Sequence, residues 1–505
     1  MILLLAAVVF AGAFGLYRFH DDWTFAYKAQ EALSKGRPLD FILRPLEQHW
    51  SPLWHLTEIV NARVAGWESD TFLRGFILVT FLGSLMLLVV LGRWLGLTTF
   101  SICTGLVVFG VHPIAAVPRY SFDCYSQCAA DLLVWGAAVV LLKILPGIDG
   151  KLLPKSQLFG FFGLLAVGLL FKEQALSGFA VSAWVLAVFF HRFRLSKARR
   201  DALLILVGLI LLAGAFTFVR ARTGVMTATS GPFQISILNA PVNKVILLGG
   251  LISPIPLLKW FDALRAEPRQ VGLLAIYAVT MLSALGYLVG GLFFRWKLVS
   301  EQRFQLWLVA GALIFSGFPT ALLAHVGELY AHTGLFWFAA LAALATEGWR
   351  IRFQNRLGQQ FVWATVLVWG MIMAIGLRGL LAEMRATGER SRQWVTRSNK
   401  LLASLPTGSF VVVDALQPAK LPTDHSLLRL SRPQYLILTG IRPWAFRLLT
   451  NDTITVVLRE GIEKRENWRQ ELAERQQESL SYQLWIGDNE IRLHRCEDSG
   501  CRPSN

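Results

Sequence analysis

Charged residues are scarce in this sequence. Asp, Glu, Lys and Arg make up only 16% of its 505 residues, whereas soluble domains average about 25%. Hydrophobic residues make up 54% of the chain and occur in long unbroken runs. The runs at 72–91 and 202–219 approach the ~20 residues that cross a ~30 Å hydrocarbon core. This composition excludes an ordinary soluble protein and predicts an all-α polytopic membrane protein.

Cysteines are also few, and none has the spacing of a zinc site. Cys103, Cys124 and Cys128 lie in or beside apolar runs, where cysteine usually acts as a small packing residue. Cys496 and Cys501 lie close together near the C-terminus. They could close a small disulfide loop if that segment faces an oxidising compartment.

The first apolar run, 1–17, has neither a basic leader nor a small-x-small cleavage site, so we expect an uncleaved first span. The further candidate spans are 72–91, 99–118, 125–142, 157–171, 175–190, 202–219, 271–294, 304–323, 333–347 and 361–381. Another apolar segment, 245–258, is short and contains Pro254 and Pro256.

Basic residues give the orientation of the chain. The net charge of +16 would suggest nucleic acid in a soluble protein, but Lys and Arg collect here in short loops such as 191–200. Such loops stay on the cytoplasmic side of a membrane. The basic stretches 295–297 and 350–356 join that side only if 245–258 does not cross. We therefore expect about eleven spans, a cytoplasmic N-terminus, an outer C-terminus and no nucleic-acid partner.

Hydropathy falls beyond residue 381, which divides the chain into two predicted domains. Residues 1–381 form the membrane domain, whose first outer loop, 18–71, has the apolar spacing of a helix lying on a membrane surface. Residues 382–505 form a small extracytoplasmic α/β domain. Its runs at 409–415 and 453–458 predict strands, and 463–476 predicts a charged helix.

Ionisable residues at membrane depth are functional candidates. The predicted topology places four groups of them on the outer side: His20-Asp21-Asp22-Trp23; His112-Pro113 with Arg119-Tyr120 and Asp123; Lys172-Glu173-Gln174; and His325, Glu328, Tyr330 and His332. Adjacent carboxylates repel each other, which suits one of them to act as a base. A lysine at the interface can neutralise a lipid phosphate. Each group also has a simpler interpretation, as solvated loop residues or, for His112-Pro113, as a helix end.

Taken in order along residues 15–350, these motifs resemble the GT-C superfamily of membrane glycosyltransferases. The likeness is strongest to protein O-mannosyltransferases and to the transmembrane mannosyltransferases that carry tetratricopeptide repeats. The matching motifs are Asp21-Asp22, Arg44-Pro45-Leu46, Val111-His112-Pro113-Ile114, Phe171-Lys172-Glu173-Gln174 and Gly327-Glu328-Leu329-Tyr330. The last motif lacks the family's arginine, and the C-terminal domain has no tetratricopeptide repeats.

The resemblance implies a polyprenyl- or dolichyl-phosphate sugar donor and a protein, lipid or glycan acceptor. Asp21 or Asp22 would be the general base, and Lys172 and Arg119 would bind the donor phosphate. The residues expected to support substrate binding are Arg44, His49, His112, Glu173, Glu328 and Tyr330. The resemblance implies no particular cofactor, and the sequence does not decide whether a divalent metal is needed. We expect a bacterial inner membrane, with the site facing the periplasm or exterior.

Three other functions are compatible with many spans and polar outer residues. A transporter or flippase would favour charges near mid-membrane and inverted repeats, and no clear repeat is seen. A lipid-linked polysaccharide ligase or polymerase would rely on arginines in a large outer loop. A non-catalytic assembly factor would use the C-terminal domain to bind a partner.

Overall fold

The computed structural model describes residues 1–16, 22–45, 49–66, 69, 71–121, 124–145, 155–192, 196–223, 235–256, 271–297, 300–323, 328–415, 424–425, 430–431, 453–458, 481–486 and 491–496. The helices are α1 (Ile2–Phe10), α2 (Asp22–Ser34), α3 (Pro38–Leu43), α4 (Pro52–Val64), α5 (Thr71–Trp94), α6 (Thr99–Val111), α7 (Ala116–Tyr120), α8 (Tyr125–Ile144), α9 (Lys155–Phe171), α10 (Leu176–Arg192), α11 (Ser196–Arg222), α12 (Ala240–Ile252), α13 (Val271–Trp296), α14 (Ser300–Ser316), α15 (Phe318–Ala321), α16 (His332–Arg352) and α17 (Arg356–Leu402). The strands are β1 (Phe410–Ala415), β2 (Asp424–His425), β3 (Leu430–Ser431), β4 (Thr455–Leu458), β5 (Ser481–Ile486) and β6 (Ile491–Arg495).

Long apolar helices make this an integral multi-pass membrane protein. Within the described residues, six helices are long and apolar enough to cross a membrane. The number is seven if α6 and the segment Pro113–Tyr120, which meet at a 50° bend, count as one span. Large apolar side chains such as Ile210, Leu211 and Phe218 of α11 face outward, as lipid contact requires. Each of the eleven predicted spans overlaps a helix, while their number stays a prediction.

Polar contacts mark the predicted cytoplasmic end of the helix bundle. At the predicted cytoplasmic end, Glu347 of α16 accepts hydrogen bonds from Thr98 Oγ1 and Ser101 Oγ, each at 2.6 Å. The same carboxylate pairs with Arg350 one turn later. These contacts join the start of α6 to the end of α16, so the two helices run antiparallel.

The short helix α12 overlaps the segment 245–258, for which the sequence left open whether it crosses the membrane. Near its start, Asn243 Nδ2 donates to the carbonyls of Ala321 and Leu323 at 2.9 and 2.8 Å. At its end, the carbonyl of Leu251 lies 2.9 Å from His112 Nε2. Ala321, Leu323 and His112 all lie at predicted outer ends of spans. These contacts favour an α12 that stays on the outer side instead of crossing.

The predicted C-terminal α/β domain is confirmed by a four-stranded sheet with the order β4-β1-β5-β6. Strand β1 runs parallel to β4 and β5, and β6 is antiparallel to β5. The strands predicted at 409–415 and 453–458 correspond to β1 and β4, while the helix predicted at 463–476 lies outside the described residues. Cys496 is disulfide-bonded, whereas Cys103 and Cys128 are free; Cys501 also lies outside the described part.

One helix connects the membrane domain to this sheet. Helix α17 has 47 residues and is therefore about 70 Å long at 1.5 Å per residue. It is apolar in its first half and continues without a break beyond 381, where the domain boundary was predicted. The boundary stays a prediction, because the helix belongs to both parts of the chain.

The first outer loop folds into the helices α2, α3 and α4. They share a small core in which the His55 ring stacks on Phe41 with centroids 4.7 Å apart. Burial lowers the pKa of His55 to about 4, so this histidine is neutral. Leu39, Leu43 and Val64 are exposed, which agrees with a loop that lies against a membrane surface.

Candidate active site

The Lys172-Glu173 motif forms a tight turn at the predicted outer end of α9. The apolar run of α9 ends at Phe171, Lys172 adopts an extended conformation, and a single 3-10 turn over Glu173–Ala175 leads into α10. The Glu173 carboxylate forms a hydrogen bond and ion pair with His49 Nδ1. It also interacts electrostatically with Arg220, at the end of α11, and with Lys172. One carboxylate is therefore surrounded by three basic side chains.

Trp54 of α4 connects this turn to the first outer loop. The ammonium of Lys172 lies 5.4 Å from the centroid of the Trp54 ring, which is a cation–π contact. The Phe25 ring also packs against the Trp54 ring, tilted by 41° with centroids 4.1 Å apart. Tyr125 Oη donates to the Trp54 carbonyl at 2.8 Å and fixes the start of α8 against it. Trp54 thus contacts residues from α2, α8 and the Lys172 turn.

The acidic motif lies at the start of α2. Asp22 is in the first turn of the helix and only 2% exposed. It lies one helical turn before Phe25, on the same face, so the helix that carries Asp22 packs on the ring that contacts Lys172. The structure brings His49 and Glu173 into direct contact, with Lys172 near the same carboxylate, and Asp22 is connected to them through Phe25 and Trp54. Asp21 lies outside the described residues.

Arg119 lies apart from this group. Its guanidinium is 1% exposed and donates to the carbonyls of Gly110 and Phe109 at 2.6 Å each. It also lies 4.7 and 4.9 Å from the ring centroids of Phe81 and Phe109. These carbonyls belong to the last turn of α6, where no intrahelical donors remain. These hydrogen bonds favour a structural role for Arg119, while its contact with phosphate stays a prediction.

His112 is also fully engaged within the protein. Its Nδ1 accepts a hydrogen bond from the Ile114 amide, and its Nε2 donates to the Leu251 carbonyl. The ring thereby links α6 to α12, while its supporting role in substrate binding stays a prediction. Arg44 is exposed on the outer loop, and Tyr330 packs partly buried against the bundle. The side chain of Glu328 lies outside the described part of the chain.

A buried polar network behind the turn escaped the sequence analysis. Asp131 of α8 is fully buried. Its Oδ2 lies 2.7 Å from His332 Nδ1, and its Oδ1 accepts from Thr333 Oγ1 at 2.7 Å. The same hydroxyl accepts from Gln174 Nε2 at 2.6 Å. The available signal for this network was an aspartate within the apolar run 125–142. Arg220, which lies near Glu173, was also missed, and its signal was an arginine at the end of the run 202–219.

A structural role of Arg119 and a phosphate-binding role of Lys172 predict opposite effects of substitution on stability and on phosphate affinity. Arg119→Met removes two charge-assisted hydrogen bonds from a buried site and should destabilise the protein by about 3 kcal/mol, seen as a lower melting midpoint in detergent. Its affinity for polyprenyl phosphate should stay within about twofold of the wild type, because Lys172 is untouched. Weaker binding by Arg119→Met without a lower midpoint would return Arg119 to the phosphate site.

The fold of this chain, a bundle of apolar helices with a C-terminal sheet, has counterparts among solved structures. It matches no protein-family model and no curated protein sequence. Its fold is similar to ArnT from Cupriavidus metallidurans, solved bound to undecaprenyl phosphate: 14% identity, 100% of this chain and 98% of that chain covered, TM-score 0.51. The apo form of that ArnT gives 13% identity, 96% and 93% coverage and a TM-score of 0.54. The Archaeoglobus fulgidus oligosaccharyltransferase AglB, in complex with an inhibitory peptide and dolichol-phosphate, has 12% identity and a TM-score of 0.46, with 96% of this chain and 69% of that chain covered.

Proposed function

We propose that this protein is a glycosyltransferase that moves a sugar from a polyprenyl-phosphate-linked donor to an acceptor hydroxyl on the extracytoplasmic face. The observation that carries the proposal is the group of Lys172, Arg220 and His49 around Glu173. Three basic side chains around one carboxylate leave an excess of positive charge at the outer ends of α9 and α11. A lipid phosphate lies at this depth and has the opposite charge. One structure with the same fold was solved with such a lipid phosphate.

Asp22 is the proposed general base, with Asp21 beside it in sequence. The acceptor hydroxyl gives its proton to the carboxylate while its oxygen attacks the anomeric carbon of the donor. The bond between that carbon and the phosphate oxygen breaks, and its electron pair leaves with the phosphate. Phosphate needs no proton to leave, so no second acid of the kind used in glycoside hydrolysis is required. Such a single displacement inverts the configuration at the anomeric carbon.

Lys172 and Arg220 would balance the charge that develops on the leaving phosphate. Fixed positive groups at a partly dry site stabilise such charge more than water does. Glu173 holds its basic neighbours together through its ion pair with His49 and its attraction to Lys172 and Arg220. The contact of Lys172 with the Trp54 ring further limits the positions of the ammonium. The cations are therefore ordered before the donor arrives.

Transfer in proteoliposomes tests the proposal. Purified protein is given a panel of radiolabelled polyprenyl-phosphate sugars together with lipid, peptide and glycan acceptors. Wild-type protein should transfer label from one donor. Lys172→Gln should lower kcat/KM about 10–100-fold, since a hydrogen bond to a charged group contributes about 1.5–3 kcal/mol.

The matched control is Lys35→Gln, because Lys35 is an exposed lysine of the outer loop that pairs with Glu31. Its activity should equal that of the wild type. Absence of transfer from every donor, or equal activity of Lys172→Gln and the wild type, would overturn the proposal. Movement of the intact lipid without transfer would indicate the flippase alternative instead.

A further inference from the structure

A single helix, α17, contacts the chain on both sides of the acidic motif. On the upstream side, Arg378 Nη1 donates to the Ala11 carbonyl at 3.0 Å, and Arg385 Nη2 donates to the Gly12 carbonyl at 2.6 Å. The two arginines lie about two helical turns apart and therefore share one face of α17. The carbonyls that they contact follow the end of α1, where a helix has partial negative charge. Arginine is favoured at such a position.

Gly12 makes the upstream contact possible. Its φ of +82° lies in the left-handed region, which glycine adopts without the steric cost of a Cβ. A Cβ added at this position would also lie only 2.1 Å from Arg385 Nη2. The backbone conformation therefore favours glycine here, and a Cβ would in addition push the end of the Arg385 side chain away from the Gly12 carbonyl.

The downstream contact is made by Trp23, the residue after Asp22. Its ring is fully buried, and its Nε1 donates to Ser391 Oγ of α17 at 3.4 Å. Trp23 and two neighbours in α2 share one hydrophobic core with α17 and the C-terminal sheet. The core consists of Trp23, Ala26, Tyr27, Trp394, Val395, Leu402, Val411, Val413, Ile454, Val456 and Leu484. The helix that begins with Asp22 thus packs directly on the C-terminal domain.

We propose that α17 and the C-terminal sheet hold the acidic motif from both sides, with Arg378, Arg385 and Trp23 as positioning residues for Asp22. This inference rests on the proposed function, since it gives the C-terminal domain a part in placing the general base. A base must lie within hydrogen-bond reach of the proton that it removes. A misplacement of about 1 Å can cost about 10²-fold in rate. Two fixed points on one rigid helix limit such displacement.

The experiment compares the double variant Arg378→Met/Arg385→Met and the single variant Gly12→Ala with the wild type in nanodiscs. The matched control is Arg392→Met, an exposed arginine of the same helix. The first measurement is hydrogen–deuterium exchange of peptides that cover 11–24. Both variants should exchange faster there, and the rest of α17 and the control should not change.

The second measurement is transfer kinetics with the donor found for the wild type. Both variants should lower kcat about 10–100-fold while KM for the donor stays within about twofold, because Lys172 and Arg220 lie outside these contacts. Arg385→Lys, which keeps a charged donor, should recover part of the lost kcat. A general loss of folding would instead lower the amount of active protein. In that case Arg385→Lys would not change kcat separately from KM.

The outcomes separate this inference from the proposed function. Unchanged exchange at 11–24 in both variants would show that the arginines do not hold the segment. Faster exchange with an unchanged kcat would show that holding the segment does not position the base. If the wild type transfers no sugar at all, the proposed function fails, while the exchange measurement still decides whether α17 holds the acidic segment.

Discussion

Asp22→Asn is expected to lower kcat/KM by about 10²–10⁴-fold, the usual contribution of a positioned general base. Asparagine has the same shape as aspartate, so the buried position in the first turn of α2 stays filled. Its amide cannot accept the acceptor's proton at neutral pH. The loss should therefore appear in kcat, with little change in KM for the donor. Transfer in proteoliposomes measures both.

Asp40→Asn is the matched control for this variant. Asp40 also lies in the first turn of a helix of the outer loop, but it is exposed and pairs with Arg37. Both substitutions remove a negative charge from a helix N-terminus, which costs about 0.3–1 kcal/mol. Only Asp22→Asn should lower transfer. Equal activities of the two variants would show that Asp22 is not the base.

Asp21→Asn completes the comparison, because the two carboxylates are adjacent. If Asp22→Asn is active and Asp21→Asn is not, the base is Asp21. If the wild-type rate falls at low pH as the base is protonated, that fall should be absent in the variant of the true base. Undiminished transfer by both asparagine variants would remove the acidic motif from the mechanism.

Much of the fold follows from local sequence. A helix in lipid must satisfy all its backbone groups internally, so an apolar run of sufficient length already indicates a helix. The break at Lys172-Glu173 could be predicted for the same reason, since polar residues between two apolar runs mark a turn. The strand β1 was predicted from the β-branched run Val411-Val412-Val413.

The hydrogen-bond partners of Arg119 and His112 could not be predicted, because they depend on which groups each side chain faces. An arginine at the end of a span looks the same in sequence whether it faces a lipid phosphate or a helix carbonyl. The ring of His112 is fixed by Leu251, which is distant in sequence. The attraction of Arg220 to Glu173 likewise requires α11 to lie beside the turn. Hydropathy gives the helices but not their neighbours.

Asp131 marks the same limit within the candidate site. Its occurrence in an apolar run was a signal that a partner must exist. The partner, His332, lies beyond several intervening spans, and its motif was interpreted as an outer loop. The structure places both in the bundle behind the Lys172 turn.

Asp131→Leu is expected to cause the largest loss of stability of any single change discussed. The substitution leaves His332 Nδ1 and Thr333 Oγ1 without their acceptor in a buried site. A buried donor left without its partner costs about 1–3 kcal/mol, and here two donors lose theirs. The melting midpoint in detergent should fall by several degrees, and the yield of folded protein should drop. Asp131→Asn, which keeps an acceptor oxygen, should lose much less.

A double-mutant cycle with Thr333→Val measures the coupling within this network. Thr333 accepts from Gln174 and donates to Asp131, so the two substitutions should not be additive. The effects of contacting residues commonly deviate from additivity by about 0.5–3 kcal/mol. Additive losses would show that the hydroxyl and the carboxylate act independently.

The same variants connect stability to the proposed phosphate site. Gln174 follows Glu173 in the turn, and its bond to Thr333 fixes the turn against α16. Thr333→Val should therefore weaken binding of polyprenyl phosphate by about 3–10-fold, the loss of one hydrogen bond of about 1 kcal/mol, even at temperatures where the protein is fully folded. Ser398→Ala, a buried hydroxyl change in α17 away from the turn, is the control and should leave the affinity unchanged. Equal affinities for all three proteins would confine the network to stability, whereas a selective loss in Thr333→Val would show that the Thr333 hydroxyl positions the cations through its bond to the turn.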